Sequence, residues 1–117
     1  MSAPQQSALD VKTATVNGRD VVQVRGEVDM RTAPGLRDRL LEAAQGLSGQ
    51  LLIDLSQVDY IDSSGVGTMV YVKREVERSG RRLVLIGLQP RVRGVLEITH
   101  LDKFFTIVRS ISEVAAS

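Results

Sequence analysis

The 117-residue sequence contains no cysteine and no tryptophan, a single histidine, and only two tyrosines and two phenylalanines. Without cysteine there can be no disulfide framework and no thiolate metal site, and His100 alone cannot form a histidine cluster. No metal or cofactor is expected from such a set of side chains. Charge of one sign is equally scarce: 15 Lys and Arg stand against 14 Asp and Glu, for a net charge of +1. No basic stretch alternates with aromatics, so neither nucleic acid nor an anionic membrane is expected as a partner. No apolar run approaches the roughly 20 residues of a membrane span, and "MSAPQQSALD" lacks the charged and then apolar segments of a secretory signal. The expected location is the cytoplasm.

What is present is enough for one modest core. A hydrophobic content of 43% over 117 residues fits a single domain. Residues 1–7 are small and polar and are expected to be disordered, leaving 8–117 as the domain. "ALDVKTATV" and "DVVQVRGEV" show partial period-two alternation, and the Asn17-Gly18 pair between them is a strong hairpin signal. In "DMRTAPGLRDRLLEAAQGLSG", Leu36, Leu40, Ala43, Ala44 and Leu47 recur at helical spacing, with Thr32 placed to cap and Pro34 in the first turn. "QLLIDLSQV" is a short, nearly unbroken apolar run, the signature of a central strand covered on both faces. A second helix over "VGTMVYVKREVERSG" would give Val66, Met69, Val70 and Val76 to the core. "RRLVLIGL" repeats the buried-strand pattern, a third helix opens at Pro90, "FFTIV" is a fifth short strand, and the tail adds at most a helical turn. Strands separated by helical segments imply parallel pairing through right-handed crossovers. The expected fold is therefore α/β: a mixed, mainly parallel sheet of about five strands with an antiparallel opening hairpin and helices packed on it.

The segment "YIDSSGVG", residues 60–67, places a carboxylate, two hydroxyls and two glycines at the end of the central strand. Asp62, Ser63 and Ser64 can cap the N–H groups of the following helix, the commonest reason for such residues at a strand-to-helix step. Nucleophilic catalysis is poorly supported. Residue 61 is Ile where the G-x-S-x-G turn needs its first glycine, and His100, the only histidine, has no evident partner. No Gly-Lys-Ser/Thr follows Gly65 or Gly67, so a phosphate-binding loop is not indicated. The acidic pairs and the mixed-sign run "KREVERSGRR" read as solvated faces and a helix end.

Two motifs carry a resemblance. They are Gly26-Glu27-Val28-Asp29 within "VRGEVDMRTAPGLRDRL" and Asp62 through Gly67 within "LLIDLSQVDYIDSSGVGTMV", followed by "RRLVLIGL" and "PRVRGVLEITHLDKFFTIV". In this order and spacing the chain resembles the STAS domain of bacterial anti-sigma factor antagonists over nearly its whole length. The resemblance implies the STAS fold and a regulatory, non-enzymatic role. It implies that Ser63 is phosphorylated by a serine kinase that is also the anti-sigma factor, that the unphosphorylated form binds this kinase and so frees a sigma factor, and that a serine phosphatase resets the switch. It further implies that Asp29 shapes the kinase-facing surface, with a cap or turn role as its plainer reading, and that Ser64 caps or orients. Asp62 would add like-charge repulsion to a phosphate beside it. Gly65 and Gly67 would either leave room for a partner's approach or pack the helix start closely on the sheet. The alternative is a STAS scaffold or accessory module of a stressosome or lipid-transport complex.

Overall fold

Asn17 and Gly18 turn the chain back on itself. The computed structural model describes residues 9–47 and 49–115, and in it β1 (Leu9–Val16) and β2 (Arg19–Val28) pair antiparallel with Val16 opposite Arg19. The φ angles of Asn17 and Gly18 are 52° and 78°, as a two-residue type I′ loop requires. The expected disordered stretch 1–7 lies outside the described residues.

After the hairpin come α1 (Ala33–Gln45), β3 (Gln50–Ile61), α2 (Ser63–Arg78), β4 (Arg82–Ile86), α3 (Pro90–Ile98), β5 (Thr106–Val108) and a 3-10 turn, Ile111–Glu113, in the tail. The strands lie in the order β1-β2-β3-β4-β5, and β2 through β5 are parallel. This is the expected α/β fold with a mixed sheet of five strands. Because each parallel strand is laid beside the one before it, right-handed crossovers place all three helices on one face. The main core agrees: Leu36, Leu40 and Ala44 of α1, Val66, Met69, Val72 and Val76 of α2, and Val92 and Leu96 of α3 pack with Val22, Leu51, Ile53, Leu83 and Leu85 of the sheet. The core side of α2 is rotated from the expected one. Val72 is fully buried, whereas Val70 is only partly so.

Among the described residues the other face of the sheet carries no α-helix, only the 3-10 turn of the tail, which corrects the expectation that β3 is covered throughout on both sides. Val21, Leu52, Val84 and Ile86 form a small second cluster under Val16, Val108, Ile111 and Val114. The Arg19 guanidinium donates to the carbonyls of Val114 (3.4 Å) and Ala115 (3.2 Å), tying the C-terminal segment across this patch. Further along β3, Asp54 and Ser56 instead line an open groove with Lys12, Gln23 and Arg25.

The ends of β2 and β3 are shaped by irregularity in β2. The β2–β3 register shifts between Gly26 and Glu27, and Gly26 has φ 119°, a conformation that favours glycine. This bulge brings Val28 opposite Ile61, so that the chain leaves β2 and β3 at the same level.

Candidate functional site

Two loops meet where β2 and β3 end. The N–H of Asp62 donates to the Val28 carbonyl at 3.1 Å, extending the strand pairing by one hydrogen bond before α2 begins. The Asp62 carboxylate then accepts from the Gly65 N–H at 3.1 Å, and the Asp62 carbonyl accepts from the Val66 N–H at 3.0 Å. Asp62 is thus the N-cap of α2, its backbone still extended at ψ −171°. This satisfies one of the orphan donors of the helix start. Ser64, expected to cap or orient, does neither among the described residues: it is half-buried and its hydroxyl has no hydrogen-bond partner there.

Ser63 is the first residue of α2 and is exposed. Its hydroxyl, like that of Ser64, bonds to no described residue. Counting at 100° per residue, Ser63 shares the outer face of the helix with Gly67, Tyr71 and Arg74, all exposed.

The two glycines divide between the two readings that the sequence left open. A Cβ on Gly65 would stand 2.6 Å from Ile61 Cγ1, 2.7 Å from Val28 Cγ1 and 3.1 Å from the Val28 carbonyl oxygen. Gly65 is therefore a packing residue that lets the start of α2 sit on the paired ends of β2 and β3. A Cβ on Gly67 would meet nothing within 4 Å. Room at position 67 opens outward, on the Ser63 side.

Asp29 organises the neighbouring loop. Its carboxylate accepts from the backbone N–H groups of Arg31 (2.9 Å) and Thr32 (3.1 Å) and from the Arg31 guanidinium (3.2 Å). The Asp29 N–H donates to Thr32 Oγ1 at 2.9 Å, and that hydroxyl donates to the Glu27 carbonyl at 2.8 Å. Thr32 occupies the N-cap position of α1 without capping it through its side chain; the carboxylate three residues earlier closes the loop instead. Partial burial works against ionisation of Asp29, whose side chain is 18% exposed. The hydrogen bonds from Arg31 and Thr32 and the charge of Arg31 outweigh it and hold the carboxyl below the ordinary aspartate value. The turn role foreseen for Asp29 is thus present. Beside it Met30 is 74% exposed.

His100 lies elsewhere. It follows the C-terminus of α3 in a left-handed conformation, φ 61°. Helices that connect parallel strands run opposite to them, so the end of α3 and the start of α2 are at opposite ends of the sheet. The one histidine is not placed to act as a base for Ser63. Sequence reasoning missed the Val28 carbonyl and Arg31, and it gave Thr32 a capping role that its side chain does not take; the hint of irregularity was Gly26 inside a strand pattern, a sign of a bulge.

A profile of the STAS domain matches residues 11–114, most of the chain. The chain belongs to the STAS domain family. This STAS domain is 30% identical over 93 residues to an anti-sigma-B factor antagonist of Staphylococcus aureus, covering 80% of this chain and 86% of that protein. It is 35% identical over 101 residues to an anti-sigma-B factor antagonist of Listeria monocytogenes, covering 86% and 87%. The crystal structure of an anti-sigma factor antagonist from Mycobacterium paratuberculosis superposes with a TM-score of 0.78 at 26% identity, over 97% of this chain and 94% of the other. Among the described residues, no helix of this STAS domain is long and apolar enough to cross a membrane.

Proposed function

We propose that this STAS domain is an anti-sigma factor antagonist switched at Ser63. Unphosphorylated, it binds an anti-sigma factor that is also a serine kinase, and the sigma factor held by that partner is released. The kinase transfers the γ-phosphoryl group of ATP to Ser63 Oγ, ADP departs, the hydroxyl proton goes to a base on the kinase, and the modified chain dissociates. A serine phosphatase hydrolyses the phosphoester and restores binding. The carrying observation is the Ser63 hydroxyl itself, exposed and without a partner among the described residues, on the first residue of a helix whose inner side is tightly packed.

The physics supports a switch at the docking surface. Phosphorylation adds about −1.5 to −2 charges and three acceptor oxygens. At a helix start this charge faces the positive end of the dipole, and here the N–H groups of Ser63 and Ser64 have no described partner. The modified domain therefore stays folded. A partner seated over Ser63, Gly67, Met30 and the Asp29 turn must instead bury the dianion beside Asp62, which costs desolvation and like-charge repulsion. A penalty of ~3–4 kcal/mol weakens binding several-hundred-fold.

Incubating the chain with candidate anti-sigma factor kinases and ATP, followed by site mapping, tests the reading. Ser63 should be the modified residue, and Ser63→Ala should bind the kinase yet resist release by ATP. Failure of Ser63→Ala to bind any anti-sigma factor, with Ser63 left unmodified, would overturn it.

A further inference from the structure

The turn beside Ser63 holds a cation with little to do in the unmodified protein. Arg31 is 73% exposed, and among the described residues its guanidinium makes one polar contact, the 3.2 Å bond to Asp29. Asp29 does not depend on that contact to shape the loop, because its carboxylate also accepts from the backbone N–H groups of Arg31 and Thr32. The guanidinium can leave while the turn stays closed.

Arg31 and Ser63 are at the same level of the molecule. Val28, three residues before Arg31, accepts from the N–H of Asp62, immediately before Ser63. Helices α1 and α2 start from these paired strand ends and pack against each other. Axes of packed helices are roughly 8–10 Å apart, a gap that an arginine and a phosphoserine extended toward each other can span. The other charged groups near this edge include the acids Glu27, Asp29, Asp62 and Asp59, the last accepting from Gln89 at the start of α3 at 3.4 Å, and, on α3, Arg91 with Arg93, which pairs with Glu97 at 3.5 Å.

We infer that Arg31 is the counter-ion of phosphorylated Ser63, exchanging its single bond to Asp29 for a bidentate grip on the phosphate. This deepens, and rests on, the reading of Ser63 as the switch. A phosphate offers three oxygens and nearly twice the charge of a carboxylate, and the planar guanidinium fork suits it. The exchange neutralises part of the new charge and also takes the guanidinium away from the Met30 side of the loop. A partner docking over both loops then meets two changes rather than one, and Arg31 is a specificity-determining residue of the switch.

The test does not need the kinase. Phosphoserine is incorporated at position 63 during translation, and the second ionisation of the phosphate is followed by phosphorus NMR in the wild type and in Arg31→Gln, Arg91→Gln and Asp29→Asn backgrounds. A phosphoserine titrates near ~6, and an exposed cation pairing with the dianion lowers that value. Arg31→Gln should therefore raise it by roughly 0.2–0.7 unit. Asp29→Asn, which frees Arg31 and removes a negative neighbour, should lower it, and Arg91→Gln should leave it in place. Identical titrations of wild type and Arg31→Gln, or a shift produced by Arg91→Gln alone, would overturn the assignment. Because position 63 carries phosphate by construction, these outcomes are separate from whether a kinase modifies it.

Discussion

The inner and outer sides of the first two turns of α2 are built to different rules. On the inner side Gly65, Val66 and Met69 are buried, and Gly65 lies so close to Val28 and Ile61 that a methyl group has no room. On the outer side Ser63 and Gly67 are exposed, and a methyl group on Gly67 would touch nothing. The same short motif thus contains one half that fixes the helix on the sheet and one half that is free to be read by another molecule. A partner-facing hydroxyl is useful as a switch only if its backbone does not move when charged, and the inner half supplies that rigidity.

Substitution separates the halves, and the largest effect belongs to the inner one. Gly65→Ala forces Val28 and Ile61 apart and should destabilise the domain by about 1–3 kcal/mol, read as a lower urea midpoint at unchanged slope. Asp62→Ala removes the cap on the Gly65 N–H and should cost about 1 kcal/mol in the same measurement. Gly67→Ala goes the other way. Its added methyl group faces open space in a helical backbone, so it should stabilise by about 0.5–1 kcal/mol. Equal effects from Gly65→Ala and Gly67→Ala would erase the distinction between the two sides.

The neighbouring turn gives the smallest signal. The folded-state pKa of Asp29 lies below its ordinary value of 3.8, so folding favours the ionised carboxylate. Its contribution is complete above the unfolded value and is lost as pH falls through the lower folded one. Asp29→Asn should therefore flatten the acid limb of a stability curve below 3.8 while leaving the shape of the curve near neutrality unchanged. A wild-type and variant curve that run parallel into acid would show that the turn does not hold the carboxylate.

Much of this was legible from residue patterns because it rests on local chemistry. Asn17-Gly18 specified the hairpin through its left-handed angles, Pro34 and Pro90 lie in the first turns of α1 and α3, and the apolar run at 83–86 is buried throughout. The misses depend on tertiary arrangement. Val70 and Val72 are equally apolar, and only the docking angle of α2 decides that Val72 faces the core. Leu52 looks as deeply placed as Ile53 in sequence. Yet Leu52 faces away from the helices and is covered by the tail, through an Arg19 contact formed 95 residues along the chain. At the site, the motif letters located Asp62 and Ser63, but they could not divide Gly65 from Gly67. That division comes from Val28 and Ile61, which β-pairing brings together from 33 positions apart, a separation fixed by the Gly26 bulge.

The central claim is that charge on Ser63 removes a partner without disturbing the fold beneath it. Calorimetric titration of the anti-sigma factor kinase with the unmodified chain and with the chain carrying phosphoserine at position 63 measures this directly, once both forms show the same urea midpoint. The account predicts that the phosphorylated chain binds several-hundred-fold more weakly, a difference of ~3–4 kcal/mol. Equal affinity of the two forms would contradict it.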